Sequence, residues 1–314
     1  MTASNFTGDL RVPHIAEDTN GYPIDCEEVV VGGVTYYRQR VNAHSYHLDV
    51  DSGLYVPNVG HHGMQHTVDY LSAIGIGKVS GHEQFFSLGY NPDIDATQED
   101  ICEWGGTYVF PTAGGIQMTI VSTSTEDAAA GTGVAQVEIN YLDANYAEQT
   151  ERRTITGTDP VTTTATNILR VNYFHTYALG SSGSNTGSAV GNITLKNGAG
   201  MQTYAMIPAL GNFSRHGVFT VPANKAAFLT YWDIGAGGAT AGKLVRAMLR
   251  ATCTHDGVLT PGIFQYKRMT IVMDAVHAME FRIPLKVPAT ADIKVSAFDE
   301  TNAVVTTYFE GWME

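Results

Sequence analysis

The chain has 314 residues, 44% of them hydrophobic, which is long enough for two domains and apolar enough for a sizeable core. Only 16% are charged, and 31 acidic against 18 basic side chains leave a net charge of −13. That sign opposes phosphate backbones and anionic lipid, so neither nucleic acid nor membrane is an expected partner.

The stretch up to Asp69 differs in character from the remainder of the chain. Val29-Val30-Val31 and Val34-Thr35-Tyr36-Tyr37 flank Gly32-Gly33, a pattern that predicts a β-hairpin. Outside that hairpin, 1–69 reads as an irregular arm, a kind of segment that is ordered by partners because it buries little of its own surface. It carries His44, His47, His61, His62 and His66. Imidazoles in such a group are metal-ligand candidates. Their spacing matches no standard metal motif, however, and His-x-x-His on a strand turns its two rings to opposite faces. The favoured reading is contact between subunits, with Tyr36, Tyr37, His61 and His62 as the assembly candidates and no cofactor. A short helix is expected within 66–80.

From about residue 70 a period of two takes over. Val137, Ile139 and Tyr141 alternate with polar residues, and Asp143-Ala144-Asn145 turns the chain into a strand over 147–156. Leu169, Val171, Tyr173 and Tyr177 are expected on one face of the next strand, and Ile193 and Leu195 begin another. The Gly180–Gly187 stretch between them is a flexible loop by composition. Beyond Gly200, alternation recurs at Phe228, Thr230, Trp232 and Ile234, and again from Val245 to Cys253. It continues at Phe281, Ile283, Leu285 and Val287, at Ile293, Val295 and Ala297, and over 303–312. Pro222, Pro284 and Pro288 are expected at strand starts or edges. The predicted fold is mainly β: two antiparallel, jelly-roll-like sandwiches at 70–198 and 199–314, behind an N-terminal docking arm with a hairpin over 1–69.

The chemistry-bearing residues are sparse. Asp93, Asp95, Glu99 and Asp100 have the carboxylate density of a calcium loop but lack its glycine and terminal bidentate Glu, so they read as a turn capping its own backbone. Glu103, Glu138, Glu148 and Glu151 are separated glutamates with nothing to place two of them across a sugar. His216, His255 and His277 have no evident nucleophile, and Gly131-Thr132-Gly133 precedes a strand where a phosphate cradle needs a helix. The expectation is a protein that is not an enzyme. Cys26, Cys102 and Cys253 form no framework, and Met1-Thr2-Ala3-Ser4 opens without a basic or an apolar leader segment, so folding in a reducing cytosol is expected.

Certain stretches resemble a family of uncharacterised virion structural proteins of tailed bacteriophages, of the marine-phage type. They are Gly89-Tyr-Asn-Pro-Asp-Ile-Asp-Ala-Thr-Gln-Glu-Asp-Ile101, Glu103–Phe110, Asp127–Gly133, Glu138–Tyr146 with Glu148–Thr150, Ile168–Val171, Gly191–Ile193 and Phe219–Tyr231. The resemblance covers about 70–314 and departs from the family around Cys102 and Trp104. It implies a β-sandwich assembly module in the virion, without catalytic residues. The expected function is a capsid-decoration or head–tail accessory protein, homo-oligomeric and bound to capsid, neck or tail proteins. The alternative is a tail fibre or spike that binds host glycan through exposed tyrosines.

Overall fold

The computed structural model describes residues 26–31, 34–39, 46–49, 54–57, 70–238, 242, 244–255, 258–299 and 302–314. The chain falls into two units, Met1–Ala73 with Lys78–Ser80, and Ile74–Gly77 with Gly81–Glu314. In the first unit, β1 (Cys26–Val31) pairs antiparallel with β2 (Val34–Gln39), with Val31 opposite Val34, which is the expected hairpin. A second hairpin joins β3 (Tyr46–Asp49) to β4 (Leu54–Pro57), within the stretch read as irregular. Strands of four residues hold too few periods for alternation to register. A six-residue helix, α1 (Tyr70–Gly75), lies inside the expected 66–80 segment.

The second unit is mainly β, as expected, and holds two sandwiches. One is built from β5 (Glu83–Ile94), the short β6 (Glu99–Asp100), β14 (Val218–Thr220), β15 (Ala227–Gly237), β16 (Leu244–His255), β17 (Val258–Met273), β18 (Val276–Val287), β19 (Asp292–Phe298) and β20 (Ala303–Met313). One sheet runs β18-β15-β20-β5 and the other β14-β19-β16-β17, with β6 added beside β19. Without β6, the chain order of the remaining eight strands is 6-3-8-1 in one sheet and 2-7-4-5 in the other. That is the double Greek-key winding of a jelly roll. All eight strands send apolar side chains into one core, among them Phe85, Phe219, Leu229, Trp232, Leu249, Val272, Phe281, Ile293 and Phe309.

The other sandwich is inserted between β5 and β14, the first two of these eight strands. Its sheets are β10 (Val161–Thr162), β7 (Met118–Ser122), β12 (Ile193–Asn197) and β13 (Thr203–Ile207), facing β11 (Arg170–Leu179), β8 (Val134–Leu142) and β9 (Glu148–Thr154). Its core holds Met118, Ile120, Val137, Ile139, Phe174, Ile193, Leu195 and Ile207. The cores therefore cross the expected 198/199 division. β5 belongs to the later core and β6 to its sheet, and β13 belongs to the earlier core.

Bulges correct three of the predicted faces. On β11 the pairing with β8 slips at Asn172, so Val171 and Phe174 point inward while Tyr177 is exposed under Arg152. On β15 the register slips at Thr230 against both neighbours, so Ala227 and Leu229 are buried before it, and Trp232 and Ile234 after it. Phe228 instead stacks on Trp312 at 5.2 Å. On β18 the pairing skips from Leu285 to Glu280, and Ile283 is left 86% exposed. Pro284 sits in this interrupted edge strand, whereas Pro222 and Pro288 lie just past strand ends. The loop at 180–187 is tied down: Gly180 N donates to Gly133 O, Ser181 N to Ala129 O and Thr186 N to Thr132 O.

Candidate interaction surface

The insert docks on the outer face of the β14-β19-β16 sheet, and it does so through buried charge. Arg170 on β11 reaches Asp292 on β19 with both arms of its guanidinium, Nε–Oδ1 2.7 Å and Nη2–Oδ2 3.1 Å, beneath the Phe110 ring. Thr220 adds its hydroxyl to Oδ1 at 2.7 Å. Asp100, expected to cap a turn, is instead buried. It takes Arg250 at 3.0 Å, Lys294 at 2.8 Å, the Ser296 hydroxyl and the Tyr108 amide. The turn reading does hold for its neighbour Asp95, which accepts from Thr97 N at 2.6 Å. Within the insert, buried Asp127 accepts from Ser122 Oγ and from the amides of Val134, Val190 and Gly191, all within 3.0 Å. Gly133 is required there, since a Cβ would lie 2.1 Å from Asp127 Oδ1.

His216 has a partner that the sequence did not reveal. Its Nδ1 lies 3.1 Å from Ser214 Oγ, and its Nε2 lies 3.2 Å from the carbonyl oxygen of Val171. A carbonyl only accepts, so Nε2 carries the hydrogen and Nδ1 accepts from the serine. Both residues are buried, and Ser214 Oγ also accepts from Met206 N, so the pair serves as a structural strut. Burial pulls the His216 pKa down to about 4. Cys102, free and buried beside it, donates to His216 O, and burial pushes its thiol pKa up.

The four glutamates are separately engaged. Glu103 meets Arg215 at 2.6 Å, and burial raises its pKa against that pairing. Glu138 binds Arg152 at 2.6 Å, which lowers its pKa. Glu151 accepts from the backbone of Thr164 and Ala165. Glu148 shares Lys225 with Glu83, and the two carboxylates line a cleft of about 300 Å³ together with Asn140, Tyr141, Asn172 and Tyr173. Among the described residues no group of three His, Cys, Asp or Glu side chains is placed to hold a metal, and no helix is long and apolar enough to cross a membrane. His44, His61, His62 and His66 lie outside the described residues, as do the side chains of His47, Tyr36, Tyr37, Cys253 and His255.

Two surfaces stand out for contact with other molecules. On the outer face of the β18-β15-β20-β5 sheet, Tyr231, Tyr308 and Phe86 follow one another, and Phe213 of the insert continues the row, at ring spacings of 5.7–6.2 Å. Tyr308 donates to Glu310 at 2.6 Å, and Tyr231 to Asp233 at 3.2 Å. The other surface is the β17–β18 edge of the jelly roll. The two strands close the two sheets along the same side, and Ile263, Tyr266, Met269, Ile271, Met273, Val276 and Ile283 are each more than half exposed there. The opposite edge, β14 and β5, is covered by the insert through paired hydrogen bonds between Asn172 and Thr220 and a bridge from Gly89 to His216.

No family model and no curated protein matches the chain. Among solved structures, it is similar to a chain in the structure of the infectious bursal disease virus Gt strain, at 8% identity and a TM-score of 0.20, over 78% of this chain and 76% of that one. A TM-score of 0.20 carries neither fold nor function across.

Proposed function

We propose that the chain is a structural component of a tailed-phage virion, an accessory or decoration protein that binds and stabilises the capsid or the head–tail assembly. The observation that carries this reading is the β17–β18 edge. Seven large apolar side chains left more than half exposed along one edge, with Lys267, Arg268, Arg282 and Lys286 among them, form a patch of the kind that assembly buries, the charges restricting which partner can pair there. The sequence resemblance over 70–314 supports the same reading, and the jelly roll is a fold used by capsid proteins as well as lectins and cupins. The buried Asp100, Asp127, Arg170, His216 and Asp292 are engaged in holding the fold, which fits a non-enzymatic role. Particles assembled without the protein are expected to lose their genome at lower temperature, or at lower salt, than complete ones. Equal survival would count against a stabilising role.

The aromatic row favours a second reading, adsorption to host glycan, since rings flanked by carboxylates suit sugar stacking with hydrogen bonds to hydroxyls. Glycan-array binding by the full chain, lost in Phe86→Ala/Tyr308→Ala, would support adsorption; an array without signal would remove it.

A further inference from the structure

We propose that the β17–β18 edge receives a second copy of this chain, head to tail, with the neighbour's acidic N-terminal segment adding strands to the free side of β17. The inference rests on the assembly role argued above and names the partner of that surface.

β17 has a single strand neighbour, β16, so the backbone N–H and C=O groups along its other side have no ladder among the described residues. An edge in that condition is a template for strand addition. The exposed apolar side chains of β17 and β18, with Leu244 on β16, number eight, each 55% exposed or more. At on the order of 100 Å² each they offer about 800 Å² to a partner, the share of one side in a standard stable interface.

Charge selects the partner and the geometry. Residues 258–287 carry Lys267, Arg268, Arg282 and Lys286 against Asp274 and Glu280, a net +2 in a chain of −13. The remainder of every copy is therefore at −15, so another copy is a complementary partner. A twofold pairing of β17 with itself centred near 267 would bring the basic residues at 267 and 268 beside their own symmetry mates, a like-charge contact that disfavours an isologous dimer in that register. The most complementary segment is 1–69, with nine acidic and three basic side chains, net −6. That segment contains the two hairpins, β1–β2 and β3–β4, each a sheet of two strands. A two-stranded sheet is marginal in water and gains from a third strand. Strand-poor hairpins and an uncovered edge strand of opposite charge thus complement each other between copies. Because the contact is heterologous, repetition gives a ring or an open array.

The test is sedimentation of the full chain across a concentration series at low salt, with circular dichroism melts to show that each variant folds. The wild type is expected to self-associate beyond a dimer. Arg268→Glu/Arg282→Glu should weaken association by at least about tenfold, and Glu27→Lys/Glu28→Lys on β1 likewise. The chain carrying all four changes should recover it. A wild type that is monomeric at every concentration overturns the inference, as do folded variants that associate like the wild type or a fourfold variant without recovery. Co-migration of the wild type with purified particles separates the two claims. A monomer that co-migrates keeps the assembly role and ends the self-pairing. A charge-swap-rescued oligomer absent from particles keeps the pairing and ends the assembly role.

Discussion

His216 contributes a loss of stability in acid that can be assigned to one side chain. Its pKa is near 6.5 in the unfolded chain and about 4 in the fold, so between those values the unfolded state binds more protons. Stability from this group is therefore complete above pH 6.5 and is lost as pH falls towards 4, by roughly 3 kcal/mol at about 1.4 kcal/mol per unit. Urea unfolding from pH 7 to 4 should show a shallower loss in His216→Gln than in the wild type; equal slopes would contradict the buried neutral imidazole. The Arg170–Asp292 pair gives a second prediction. Removing one partner, as in Asp292→Ala, strands a buried guanidinium and should cost about 3–5 kcal/mol, whereas Arg170→Met/Asp292→Leu should cost less than that single change. Little of this was legible in the sequence. Asp292, Lys294 and Ser296 alternate with Ile293, Val295 and Ala297, which reads as a strand with one solvated face. The insert covers that face, and only tertiary structure shows it.

Strands with unbroken alternation were legible, because pleating alone decides which side chains share a face. The alternating residues of β8, β12 and β19 all lie on the face that their sequence pattern predicts. A bulge carries no compositional mark, so on β11 and β15 the predicted face is right on one side of the slip and wrong on the other, and on β18 Ile283, inside the slip, is turned out while Phe281 and Val287 keep the predicted face. The crossing of β5 with the end of the insert was hidden for a related reason, since glycine there serves contact and not turning. A Cβ on Gly89 would lie 2.7 Å from Ile101 O and 2.9 Å from Gly217 Cα. Gly89→Ala should therefore destabilise the fold by about 1–3 kcal/mol, measured as a lowered unfolding midpoint. Ile283→Asp, on the exposed edge, should leave that midpoint within about 0.5 kcal/mol. A large loss there would mean the residue is packed and would weaken the case for an available edge.

At the scale of the molecule, a jelly roll carries a sandwich between β5 and β14. That arrangement places β5 some two hundred residues from its partner β20, a pairing that no local pattern encodes. Composition and strand spacing were enough for the fold class and for two sandwiches, but not for their interleaving. The insertion also explains the asymmetry of the surface: one edge of the jelly roll is covered from within the chain, and the other is left exposed. The assembly role is tested most directly by quantitative peptide mass spectrometry of gradient-purified virus particles. The account predicts this chain at a fixed copy number that co-migrates with the particles, in multiples set by their symmetry. Its presence only in the soluble fraction of the lysate would contradict it.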